Sequence, residues 1–153
     1  MKLLIVASAL CGLALSILGA AGAHLMAPAT AEAAAETAWH QFNAVSWNSA
    51  MLYGFAHTLA ALLTVALPVR GRLAGAAGWL FIVGVVLFSF AIMAKEILLS
   101  RFLPAENADS AIALYSQITV VTPFGGIAFM AGWILLIAGA LMKRPEAGQT
   151  LDF

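Results

Sequence analysis

The chain is poor in charge and has a single cysteine. Charged residues make up 9% of its 153 residues and the net charge is zero, whereas about a quarter of an average globular protein is charged. No basic surface therefore points to a nucleic-acid partner. Cys11 alone excludes an internal disulfide and a dithiol redox mechanism. Phosphate-binding loops, nucleophile elbows and HExxH motifs are absent, so we predict no enzyme, no cofactor and no metal site.

Long apolar stretches fill most of the chain instead. None of them contains Asp, Glu, Lys or Arg, and each approaches the about 20 residues that a helix needs to cross a bilayer. They predict an all-α, polytopic membrane protein with a four-helix transmembrane bundle in one domain, residues 1–153. The predicted helices are Leu3–Ala23, Ala50–Leu67, Leu73–Ala94 and Val120–Met142, with outer segments at 24–49 and 95–119.

The first stretch has a second interpretation. Lys2, an apolar run and then Ala21-Gly22-Ala23 resemble a secretory signal with a small-x-small cleavage site. The run of about 20 residues is longer than the usual signal core of 7–15, and the basic end is one lysine. We therefore expect the stretch to remain as a helix.

The distribution of lysine and arginine predicts the orientation. With the N-terminus inside, five of these seven residues fall in inner segments, and only Lys95 and Arg101 fall in outer ones. This excess satisfies the positive-inside rule. Both termini are predicted to be cytoplasmic.

The connections between the helices differ in length. Pro68–Arg72 predicts a tight turn that joins the second and third helices as an antiparallel hairpin. In the first outer segment, Ala31–Trp47 could form a surface helix, with Trp39 and Trp47 at the membrane interface. Pro123 is expected to open the last helix, where its missing N–H costs nothing.

Small residues indicate where the helices meet. Helices in lipid associate through close backbone contact along rows of Gly, Ala and Ser. Seven-residue spacing keeps such a row on one side of a left-handed bundle, as in the last helix. The predicted packing glycines are Gly54, Gly84, Gly125, Gly126, Gly132 and Gly139.

His57 is the one ionisable side chain inside a predicted helix. It lies on the small-residue face of the second helix, roughly 10 Å below the outer boundary if that helix begins near Ala50. Two interpretations are open. In the first, His57 is structural and hydrogen-bonds to a carbonyl or to Tyr53. In the second, it forms a proton or ligand site with Tyr53 and His24. His40 also lies on the outer side, and three histidines there could bind a metal, although no ligand spacing supports one.

Five groups of residues form a recognisable pattern along the chain. They are Gly22-Ala23-His24, then Trp47, Ala50, Tyr53 and His57, then Gly84 and Leu87-Phe88-Ser89, then Thr122-Pro123-Phe124-Gly125-Gly126, and last Gly132-Trp133. Together they resemble the domain of unknown function 423 family, also called transmembrane protein 256-like. The resemblance implies a small integral membrane bundle of bacteria or mitochondria without assigned activity, with His24, His57 and Thr122–Gly126 in the family pattern. Both outer segments are longer than the family's usual links.

Three functions fit the sequence. The first is a non-enzymatic accessory or scaffold subunit of a larger membrane assembly, in the bacterial inner membrane or, less in keeping with the sequence, the mitochondrial one. The second is a small transporter or channel that uses His57 and is oligomeric, because four short helices with little polar lining form a poor pore alone. The third is a metal or cofactor binder at the outer histidines.

Overall fold

The computed structural model describes residues 1–25, 44–67, 71–101 and 108–142, and every element in these ranges is helical. Three of the elements follow one another without a break, and together they are called the third span. The elements are α1 (Lys2–Leu25), α2 (Ala44–Ala66), α3 (Gly71–Gly84), the π segment (Val85–Phe90), α4 (Ala91–Arg101) and α5 (Ala108–Leu141). The third span consists of α3, the π segment and α4.

Within the described residues, four helices are long and apolar enough to cross a membrane. Between 22% and 44% of the residues in their most apolar windows are buried inside the protein, and many large aliphatic side chains point outward, including Leu3, Val45 and Leu141. Monomeric soluble proteins rarely expose apolar surface on this scale. The spans are Lys2–Gly22, Val45–Ala66, Arg72–Leu98 and Ser116–Leu141.

The second helix starts earlier than predicted. It begins at Ala44 and not at Ala50, because uncharged Ser46, Asn48 and Ser49 continue the helical backbone. Trp47 therefore belongs to α2 and not to a surface helix, and its ring is buried against Gly22 of α1. Residues 31–43 of that predicted helix, with Trp39, lie outside the described residues.

The last two helices are also longer than predicted. Lys95 and Glu96 were assigned to an outer segment, but they lie within α4, form an ion pair of 3.2 Å, and Glu96 is 4% exposed. The last helix begins at Ala108, so Pro123 lies inside it and does not open it. The Thr122 hydroxyl donates to the Ile118 carbonyl beside this proline.

Glycine contacts fix how α1 and α2 pack. Gly12 lies opposite Thr58, Gly19 opposite Met51 and Gly22 opposite Trp47. Residue numbers rise along one helix as they fall along the other, so the pair is antiparallel.

The third span occupies the centre of the bundle. Against α2 it is antiparallel, as the short connection predicts, because Gly78 lies by Thr64 and Ser89 lies by Gly54. The closest backbone approaches of α5 are also to the third span, whereas α2 and α5 meet mainly through side chains. A side-chain contact between α2 and α5 is therefore needed to close that side of the bundle.

The π segment is the irregular part of the third span. Short π stretches inside α-helices often occur at functional sites. Here the segment buries Val85 and Ser89 and brings the backbone of Phe88 against Gly125 of α5. The sequence did not predict this irregularity.

Candidate functional site

His57 is the centre of a cluster of aromatic rings between α2, the third span and α5. Its side chain is 7% exposed, and its ring lies nearly parallel to that of Phe129, with 3.6 Å between centroids and 16° between planes. Phe81 and Trp133 contact it at an angle, 5.5 and 6.1 Å away. The cluster consists of Tyr53, His57, Phe81, Phe88, Phe129 and Trp133.

Both nitrogens of His57 are engaged in hydrogen bonds. The indole Nε1–H of Trp133 donates to Nε2 over 3.2 Å, and Nδ1 lies 2.9 Å from the carbonyl oxygen of Tyr53. Tryptophan can only donate, so Nε2 must accept, and Nδ1 therefore carries the proton that is donated to the carbonyl. His57 is the neutral Nδ1–H tautomer in this arrangement.

This closed pattern limits the chemistry at His57. A metal ion or a proton would need the Nε2 lone pair, which Trp133 already occupies. In the part of the chain that the structure describes, no three His, Cys, Asp or Glu residues are grouped to hold a metal ion. The backbone of His24 lies in the last turn of α1, but its side chain and all of His40 lie outside the described residues.

His57 lies nearer to the middle of its candidate span than the sequence predicted. The second span begins at Val45 and covers 22 residues, or about 33 Å at 1.5 Å per residue. His57 lies about 18 Å along it, near the middle and not about 10 Å below the boundary. A polar group is least well solvated there, so the two hydrogen bonds matter most at this depth.

Tyr53 contributes to the cluster in a different way than expected. Its backbone carbonyl accepts from His57, whereas its ring lies parallel to the imidazole at a centroid distance of 5.9 Å. The Tyr53 and Trp133 side chains are 46% and 48% exposed. They form the outward-facing edge of the cluster, with His57 behind them.

Glycines of α3 and α5 provide space for the rings. A Cβ at Gly132 would stand 2.6 Å from Cε1 of Phe81, and a Cβ at Gly84 would meet the Phe129 ring. A Cβ at Gly125 would stand 2.6 Å from the backbone nitrogen of Phe88. Each of these glycines thus lies opposite a phenylalanine of the neighbouring helix.

The other predicted packing glycines have different surroundings. A Cβ at Gly54 would stand 2.8 Å from Leu15 and 3.1 Å from the Ser89 hydroxyl. Gly139 is buried. Gly126 differs from the prediction, because nothing lies within 4 Å of its Cβ position. It turns away from the interface that its neighbour Gly125 forms.

Sequence reasoning missed Phe81, Phe129 and the role of Trp133. The spacing along the chain could have identified the first two. Phe81, Gly84 and Phe88 are separated by steps of three and four along α3 and the π segment. Gly132, Phe129 and Gly125 have the same steps when α5 is read backwards. Large residues on one helix thus meet small ones on the other. Trp133 was identified only through the family resemblance, in Gly132-Trp133, and no local spacing links it to His57, which is 76 positions away.

Comparison with known proteins identifies a family but no activity. No curated protein and no solved structure matches the chain. The family model described as "Protein of unknown function (DUF423)" matches residues 18–126. This match includes α2, the third span and the first part of α5, with His57, Tyr53 and Gly125. It covers more than half of the 153 residues, and the chain therefore belongs to the DUF423 family.

Proposed function

We propose that this protein is a non-enzymatic accessory or scaffold subunit of a larger membrane assembly. The observation that carries the proposal is the closed hydrogen bonding of His57, the one ionisable residue near the middle of the second span. A proton carrier must exchange protons, and a ligand site must offer a free donor or acceptor. His57 offers neither while Trp133 and Tyr53 hold both nitrogens, and its role is to join α2 to α5.

The surface of the helix bundle offers a place where a partner could bind. An apolar groove of about 330 Å³ opens between α1 and the third span. A transmembrane helix of a larger protein could place its side chains in this groove, since helices associate in lipid through shape and close packing. The groove is lined by Ala14, Leu18, Phe90, Met93, Ala94 and Ile97.

The membrane in question is, in our proposal, the bacterial inner membrane, with the mitochondrial inner membrane as the alternative. Both termini are proposed to be cytoplasmic. The support is the excess of lysine and arginine in the segments next to the N-terminus, between α2 and α3, and after α5. The proposed partners are the bilayer and another membrane protein, with no nucleic acid.

Purification in a mild detergent tests the accessory role. A larger membrane protein that copurifies at a fixed stoichiometry is the expected result. A stable homo-oligomer whose melting temperature rises with a transported solute would instead favour the oligomeric transporter or channel. Metal analysis and an absorption spectrum of the same sample test the third function, in which the outer histidines bind a metal or cofactor.

A photo-crosslinking residue locates the contact. Placed at Leu18, which lines the groove, it should link to the copurified partner. The matched control is Leu13, which lies on another face of the same helix and is exposed. Equal crosslinking from both positions would contradict docking in the groove.

A further inference from the structure

Six of the hydroxyl groups in the described helices form two sets of three. In the first, the hydroxyl donates to a carbonyl of its own helix, which is the usual solution for serine and threonine away from water. Ser16 donates to Gly12 over 2.9 Å, Thr64 to Ala61 over 2.7 Å and Thr122 to Ile118 over 3.3 Å.

The second group consists of Ser8, Thr58 and Ser89, here named the hydroxyl seam. Their side chains are 0%, 3% and 0% exposed, and among the residues that the structure describes none of the three hydroxyl oxygens has a hydrogen-bond partner. Leaving a buried polar group without a partner costs about 1–3 kcal/mol. Three such groups in one small bundle require a physical explanation.

The three residues that carry these hydroxyls lie on adjoining helices. Ser89 of the π segment lies beside Gly54 of α2, and Thr58, one turn further along α2, lies beside Gly12 of α1. Ser8 lies one turn before Gly12 in α1. Along the bundle axis it is between Thr58 and Leu4, and Leu4 contacts Gly78. α1, α2 and the third span thus each contribute one hydroxyl.

The spacing between the hydroxyls suits water. Four residues of helix rise about 6 Å, so successive hydroxyls differ in level by about this amount. Two hydrogen bonds of about 2.8 Å through one water molecule cover nearly the same distance. A metal cation would lack compensating charge, because the apolar stretches that contribute the hydroxyls contain no carboxylate. Water can both donate and accept, which three neutral hydroxyls require.

We propose that the hydroxyl seam binds a short chain of internal water molecules between α1, α2 and the third span. One water bridges Ser89 and Thr58, and a second bridges Thr58 and Ser8. Gly54 and Gly12 lie beside the seam, and a Cβ at Gly54 would stand 2.8 Å from Leu15 and 3.1 Å from the Ser89 oxygen. This inference does not depend on the accessory role.

The sign of a stability change tests the proposal. Thr58→Val keeps the shape of the side chain and removes the hydroxyl, and Ser89→Ala removes only an oxygen. If water binds, each change should lower the melting temperature by about 2–4 °C. The double variant should lose less than the sum, because both changes remove the same bridging water. A rise in melting temperature for both single variants would overturn the proposal, since it would mean that the hydroxyls are unsatisfied.

Water-edited NMR of the folded wild type gives a second, independent test. Magnetisation should pass from water to residues 58 and 89 near the middle of the bundle, and this transfer should disappear in Thr58→Val/Ser89→Ala. The matched control is Ser16→Ala, whose hydroxyl bonds to its own helix, and it should leave the transfer unchanged. A folded wild type without transfer at these positions would overturn the proposal whatever the melting data show.

Discussion

Phe81 of α3 lies against Gly132 of α5, so closely that a Cβ on the glycine would stand 2.6 Å from the ring. The same relationship recurs between Phe129 and Gly84, with the large and small residues exchanged between the helices. Because lipid gives little hydrophobic drive for helix association, this complementarity of shape is a main source of stability.

Gly132→Leu should therefore destabilise the bundle. The added side chain must displace Phe81, and overpacking of this kind costs about 1–3 kcal/mol. Thermal melting in detergent measures the loss. The control is Ile134→Leu, because Ile134 is exposed away from the interface. Equal melting temperatures for Gly132→Leu and the wild type would mean that this face of α5 does not pack against α3.

Two neighbouring glycines provide a sharper comparison. Gly125→Ala should lower the melting temperature, because its Cβ would stand 2.6 Å from the backbone nitrogen of Phe88, which cannot move aside as a side chain can. Gly126→Ala should be neutral or stabilise by up to about 1 kcal/mol, because alanine favours the helix and the Cβ meets nothing within 4 Å. A lower melting temperature for Gly126→Ala than for Gly125→Ala would contradict the orientation of α5, in which Gly125 faces the third span and Gly126 turns away from it.

The bond between His57 and Trp133 should be measurable as a coupling energy. His57→Leu leaves the indole N–H without its acceptor, and Trp133→Phe leaves Nε2 without its donor. Each should destabilise the protein, and the double variant should lose less than the sum by about 0.6 kcal/mol and at most about 1.7, the average and the maximum for hydrogen bonds between membrane helices. His57→Gln keeps one donor and one acceptor and should be more stable than His57→Leu. Additive losses would show that the two rings do not interact.

The tautomer of His57 is a separate prediction. Nitrogen NMR of labelled protein should show a protonated Nδ1 and an unprotonated Nε2, because Trp133 can only donate. Trp133→Phe removes this constraint and should shift the Nε2 resonance. A protonated Nε2 in the wild type would exclude the described hydrogen bond.

Cysteine labelling tests the orientation. Cysteines introduced within 29–36 or 104–109 should react with an impermeant thiol reagent from outside intact cells, whereas cysteines at Arg70 or Gln149 should not. The native Cys11 is buried and serves as an internal control. Labelling at Gln149 but not at Ala105 would reverse the proposed topology.

The sequence predicted the four spans well because the apolar stretches lack charge, but it predicted their ends less well. The length of an uncharged stretch reflects the thickness of the hydrocarbon core. A helix can extend beyond that core for as long as its backbone hydrogen bonds form. Ser46 and Asn48 therefore extend α2, and Glu96 lies inside α4. For the same reason Pro123 lies within α5 and not at its start.

The candidate site was predicted only in part. His57 was identifiable as the ionisable residue within an apolar stretch, and the Tyr53 carbonyl lies one helical turn away. Trp133 could not be assigned as the second partner from local spacing, because only the packing of α2 and α5 against the third span brings the two side chains together.

The order in which the helices are synthesised gives the His57–Trp133 bond a further consequence. When the first three spans have left the ribosome, Nε2 of His57 still lacks the donor that α5 supplies. An unpaired polar atom near the centre of a bilayer is costly, so the growing bundle keeps one polar defect until its last helix inserts. A chain truncated before α5 would keep this nitrogen unpaired. A complete bundle therefore differs from an incomplete one in the hydrogen bonding of His57 Nε2.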